Sequence, residues 1–130
     1  MDNEDIYQEF IIELYRHPVN LGTISDADLK AEVFNATCGD RITLYLKVKN
    51  GLVADAKFMG EGCAISQASA SLFTGFLKGK RLDQLGKITK NDVLGLIKID
   101  LSKNPTRMRC ALLVLDATKK AIGASRTKGD

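Results

Sequence analysis

The chain has 130 residues, 45% hydrophobic and 27% charged, which is the size and balance of one globular domain with a core of its own. A net charge of +3, no Trp and only two Pro argue against an aromatic nucleic-acid platform or a Pro-rich linker. No apolar stretch approaches the ~20 residues needed to span a bilayer, and the acidic start MDNEDIYQEF lacks a basic segment followed by an apolar run. The expectation is a single cytoplasmic domain over 1–130 with reduced thiols, bound neither to membrane nor to nucleic acid. Residues 1–5 and 125–130 are expected to be flexible ends. The basic residues Lys119, Lys120, Arg126 and Lys128 suit the last turns of a helix.

In chain order, Ile6, Phe10 and Leu14, widened by Tyr7 and Ile11, predict an amphipathic helix that ends at His17-Pro18. Asn20 and Gly22 supply turn chemistry. Leu29 to Asn35 reads as a strand with Leu29, Ala31 and Val33 on one face. Ile42, Leu44, Leu46 and Val48 alternate with Thr43, Tyr45, Lys47 and Lys49, a period of two. Asn50-Gly51 then predicts a tight hairpin. Beyond it, Leu52, Ala54, Ala56 and Phe58 are expected on one face, with Val53, Asp55 and Lys57 on the other.

The remainder reads as helical. Ile65, Ala68, Ser69, Leu72, Phe73, Phe76 and Leu77 follow helical spacing, and Gly79 in Lys78-Gly79-Lys80 closes the helix. Asp83 to Lys98 predicts one or two short helices, with Thr89 as an N-cap. A final helix begins at Pro105 behind Asn104, with Met108, Ala111, Leu112, Leu115 and Ile122 as its apolar stripe. Strands first and helices after predict an α+β fold: an antiparallel three-stranded sheet with helices packed on one face.

The three cysteines all fall at element junctions. Cys38 lies in Thr37-Cys38-Gly39-Asp40 between two strands. Cys63 follows Gly60-Glu61-Gly62 ahead of the long helix, where the positive end of the helix dipole favours a thiolate. Cys110 follows Pro105-Thr106-Arg107-Met108-Arg109, and Arg107 and Arg109 would favour its thiolate while opposing the dipole of their own helix. Gly39, Gly60 and Gly62 allow close approach to the main chain. Three thiolates are one ligand short of a tetrahedral zinc or cluster-iron site. Arg109 has no lone pair to offer, and His17, the single histidine, reads as structural. Asp40 is the best fourth ligand, a hard carboxylate that holds iron less firmly than thiolate does. From the residues alone a metal or cluster site is favoured over cysteines scattered in the core. Together with the family likeness given next, the junction positions predict that Cys38, Asp40, Cys63 and Cys110 converge on one surface-accessible metal site.

Thr37-Cys38-Gly39-Asp40, the run Phe58 to Ser66 with Ala68 to Ser71, and Arg107-Met108-Arg109-Cys110-Ala111 resemble the IscU/SufU/NifU N-terminal iron–sulfur assembly family. The resemblance begins at Tyr15-Arg16-His17-Pro18-Val19-Asn20-Leu21-Gly22 and covers nearly the whole chain. It implies that Cys38, Asp40, Cys63 and Cys110 bind zinc, iron or a nascent [2Fe–2S] cluster. It also implies a cysteine desulfurase that supplies persulfide sulfur, and apo iron–sulfur proteins as recipients. Two departures matter. Arg109 stands where IscU proteins carry histidine, and Asn104 to Met108 replaces their Leu-Pro-Pro-Val-Lys, so docking to the specialised Hsp70 chaperone is not expected. Arg109, Cys-Gly-Asp-Arg and Gly-Glu-Gly-Cys look like the SufU branch, yet the Lys78 to Lys103 segment is shorter than that branch usually shows.

Three functions compete. The first is a scaffold that assembles a cluster from iron and persulfide sulfur and passes it on. The second is a zinc-dependent sulfurtransferase, with Cys38, Cys63 and Cys110 as sulfur acceptors in unknown order and Arg107 and Arg109 activating a thiolate or touching the partner. The third is a structural zinc domain without turnover. Arg109 pulls toward the second and the short Lys78 to Lys103 segment toward the first.

Overall fold

The computed structural model describes residues 3–36 and 39–129, and side chains over 9–36 and 39–123. Helix α1 (Asn3–Arg16) leads into three strands, β1 (Leu29–Asn35), β2 (Asp40–Lys49) and β3 (Leu52–Glu61). Four helices follow: α2 (Ala64–Leu77), α3 (Leu82–Leu85), α4 (Lys90–Ile97) and α5 (Pro105–Gly129). The strands form one antiparallel sheet, as expected, and the structure orders them β1-β2-β3. Helix α2 packs on β3 and α5 on β1 and β2, while α1 and α4 lie against α2. The other sheet face, with Lys30, Glu32, Phe34 and Arg41, is open to solvent. No helix among the described residues is long and apolar enough to cross a membrane.

Burial of Ile42, Leu44, Leu46, Ala56, Phe58, Phe73 and Leu77 builds the core between sheet and helices. Each large side chain there contributes roughly 1.5–3 kcal/mol. The period of two holds along β2 but not along β3. Lys47 pairs with Asp55 and Val48 with Val53, so Ala54 is an extra residue, a β-bulge. It reverses the phase of the strand. Val53 is buried, whereas Leu52, expected in the core, is 40% exposed. Lys80 completes the backbone pairing of Val53, accepting its N–H at 2.8 Å.

Helix α1 is rotated from its expected stripe. Ile11 and Leu14 are buried against α2, and Phe10 is exposed. The loop after α1 is fixed by Asn20, in the left-handed region with φ 65°. Its carbonyl accepts the Phe58 N–H at 3.0 Å, its amide donates to Thr74 Oγ1, and its Oδ1 accepts from Lys78 Nζ. Thr89 caps α4 reciprocally with Asp92, and Asn104 Oδ1 accepts the Arg107 N–H at the start of α5, both as expected. Gly79 stands just past α2 with φ 87°.

Helix α2 is buried almost all round, although its sequence predicts only one apolar stripe. Its small hydroxyl residues make this possible by finding main-chain partners. Ser69 donates to the Ala111 carbonyl at 2.6 Å, Thr74 to Ala70, and Ser66 to the Cys63 carbonyl. The Ser69 bond ties α2 to α5 beside Cys110.

Candidate metal centre

The end of the sheet where β2 begins and β3 ends gathers the candidate ligands. Asp40 opens β2, paired with Asn35, on the same face as Ile42 and Leu44. A carboxylate 1% exposed needs donors. The Cys63 N–H supplies one, 3.0 Å from Asp40 Oδ1, and the Cys63 thiol points at Oδ2 from 3.9 Å. Cys63 is the N-cap of α2, so the positive end of that helix faces the carboxylate.

Gly62 makes the contact possible. Its φ is 148°, and a Cβ there would lie 2.1 Å from Asp40 Oδ1. Gly60 is constrained by space alone, since a Cβ would sit 2.5 Å from the Arg41 carbonyl oxygen and 2.8 Å from Ile42 Cδ1. Both glycines therefore open room for this protein's own Asp40 and core atoms, a more specific role than general access to the main chain. Arg41 and Glu61, exposed partners across β2 and β3, form an ion pair beside the site.

From the other side α5 brings Cys110. One ligand atom each from Asp40, Cys63 and Cys110 all lie within 4.8 Å of one another. Cys63 is open to solvent, but Cys110 is only 3% exposed and belongs to the hydrophobic core. The site is therefore open to solvent on the Cys63 side and closed by the core on the Cys110 side. The second-turn position of Cys110 on α5 turns it inward, toward α2, while Arg107 and Arg109 are exposed. Cys38 lies outside the described residues. Tetrahedral zinc–thiolate bonds of about 2.3 Å place sulfurs about 3.8 Å apart. A small inward movement would thus bring the three donors to bonding distance. Two soft thiols and one carboxylate fit zinc or cluster iron by donor chemistry.

Gln67 was not singled out by sequence. It is 7% exposed, one turn beyond Cys63 on α2, and its Nε2 finds no hydrogen-bond partner among the described residues. The available signal was a lone amide four residues after a junction cysteine, directly following Ala64, Ile65 and Ser66.

Residues 6–129 match the family model described as the NifU-like N-terminal domain. The chain belongs to that family. Among its NifU-like relatives, the zinc-dependent sulfurtransferase SufU of Bacillus subtilis is 36% identical, over 92% of this chain and 90% of the relative. The iron–sulfur cluster assembly scaffold protein IscU 1 of Archaeoglobus fulgidus is 37% identical, over 90% of this chain and 74% of the relative. In structure, the N-terminal part of a nitrogen-fixing NifU-like protein from Brucella abortus superposes with a TM-score of 0.80 at 25% identity, covering 96% of this chain and 97% of that one. The expected family and fold are thereby established.

Proposed function

We propose that this protein is an iron–sulfur cluster assembly scaffold that receives sulfur from a cysteine desulfurase, gathers iron and sulfide, and passes the cluster to apo-proteins. The observation that carries the reading is the approach of Asp40, Cys63 and Cys110 to within 4.8 Å at a glycine-shaped end of the sheet. Cys38, two residues before Asp40, supplies the fourth ligand. Iron and sulfide are cargo here, held by three thiolates and one carboxylate; the persulfide's outer sulfur becomes sulfide by taking two electrons from an external thiol or redox-protein reductant. The carboxylate is the exchangeable member, because hard oxygen suits iron less well than thiolate in a sulfur-rich site.

In sulfur delivery, a cysteine thiolate attacks the terminal sulfur of the desulfurase persulfide. A new S–S bond forms, the old one breaks, and the desulfurase cysteine leaves as a thiolate. Cys63, open to solvent, is the accessible acceptor among the described cysteines. Arg107 and Arg109, exposed on the first turns of α5, provide the cationic approach to Cys110 and contact the partner.

A zinc-dependent sulfurtransferase is the second reading, favoured by Arg109 in place of the histidine typical of IscU and by the likeness to SufU. Metal and acid-labile sulfide analysis of protein purified without oxygen separates the two. Iron and sulfide in equal amounts are expected for the scaffold, and zinc without sulfide supports sulfur transfer. Protein that takes up neither on reconstitution would overturn both.

A further inference from the structure

We infer that Gln67 is a positioning residue for the metal centre, its side-chain amide donating a hydrogen bond to the Cys63 sulfur once that sulfur is metal-bound. The inference rests on the metal reading above. Gln67 lies four residues after Cys63, and its N–H donates to the Cys63 carbonyl at 3.2 Å, so the two side chains share one face of α2. Helical side chains lean toward the N-terminus, which aims the Gln67 amide back at the turn holding Cys63. There Nε2 would stand 3.3 Å from a Cβ on Gly60, in the notch that Gly60 leaves on the core face of β3. Gly60 is paired with Ile42, the next core-facing residue after Asp40 on β2, so the notch adjoins the site.

The amide is buried and Nε2 lacks an acceptor among the described residues. A buried donor without an acceptor is destabilising, and an apolar side chain of the same size would avoid that penalty. The site itself offers an acceptor that changes with loading. In the metal-free protein the Cys63 thiol points its proton toward Asp40 Oδ2. A metal held at the site would take Cys63 as the thiolate, whose sulfur is a far better acceptor than that of a thiol. The unused donor lies one helical turn away. Hydrogen bonds to ligand sulfur orient it and tune the bound metal.

The test is Gln67→Met in the full-length protein, which keeps the volume and removes the donor, with Gln67→Leu as a second variant should methionine not pack. Two quantities are measured: the melting temperature of the reduced, metal-free protein, and zinc affinity by competition with a chromogenic chelator. The expected result is a melting temperature equal to or above wild type, together with about a tenfold loss of zinc affinity. An affinity within twofold of wild type would overturn the inference. So would parallel losses of affinity and metal-free stability, since those describe a packing residue. Wild-type protein that takes no zinc or cluster would instead overturn the metal reading, and the inference with it.

Discussion

The two ends of the β2–β3 ladder both rely on glycine in a left-handed conformation, for different reasons. At the hairpin end Gly51 has φ 76°, and a Cβ there would meet nothing within 4 Å. At the site end Gly62 has φ 148°, and a Cβ would fall inside the Asp40 carboxylate. One glycine answers to backbone conformation alone, the other to conformation and to a functional group at once. A glycine in a turn can thus be a matter of stability or of chemistry, and only the atoms opposite it tell which.

Substitution at the two ends should separate these roles. Gly62→Ala is expected to give the largest effect, pushing Asp40 off the Cys63 N–H and lowering zinc affinity by ~100-fold. Gly51→Ala should leave zinc affinity unchanged and lower stability by about 1–2 kcal/mol in denaturant titration. Equal zinc affinities for the two variants would end the distinction.

Asp40→Ala comes next in size. Cluster decay and transfer to an apo-protein, followed by absorbance, are expected to slow by roughly tenfold as the proposed exchangeable ligand is lost. Loss of the Cys63 N–H acceptor lowers metal-free stability by about 1 kcal/mol. Unchanged transfer would show that Asp40 does not govern release.

Arg41→Ala should do less. Its ion pair with Glu61 joins side chains 48% and 68% exposed, and such pairs contribute about 0.2–1 kcal/mol. Zinc affinity within a factor of two of wild type is expected. A larger loss would mean that the pair braces the site end of the ladder.

The smallest effect belongs to the far end of β2, where Lys47 Nζ lies 3.1 Å from Asp26 Oδ2. The hydrogen bond from Lys47 holds the Asp26 carboxyl below its ordinary value, and the same bond holds Lys47 above its own, against some desolvation. The Asp26 contribution is therefore present above about pH 4 and is lost as pH falls through its lowered folded value. The Lys47 contribution is full below about pH 10 and is lost as pH rises through its raised folded value. Lys47→Ala should lower the melting temperature slightly and evenly between about pH 5 and 9. The difference from wild type should close in acid, and added salt should shrink it.

Much of this was legible in the sequence. The three antiparallel strands, the hairpin at Asn50-Gly51, the caps Thr89 and Asn104, and the grouping of Asp40 with Cys63 and Cys110 follow from periodicity and junction chemistry. The bulge at Ala54 was not, because the face of Val53 is decided by its partner Val48 and by Lys80, both outside the local pattern. The phase of α1 is likewise set by what α2 presents to Ile11 and Leu14. Burial of Cys110 depends on how α5 lies against α2, where Ser69 reaches Ala111. Gln67 needed a structure, since an amide nitrogen without a partner among the described residues is defined by its surroundings.

The bulge also bears on how this chain tolerates changes in length. Ala54 has no partner between Val53 and Asp55, so deleting it would leave every other pair of the ladder as it stands. The hairpin side can thus gain or lose a residue without news of it reaching the candidate metal centre. Between Asp55 and Glu61 there is no such slack. A single deletion there would slip the remaining strand by one position, turn its buried side chains outward and carry Gly62 away from Asp40. Variation in length among descendants of this chain should therefore gather before Asp55 and stop there, as though the bulge were an expansion joint in the ladder.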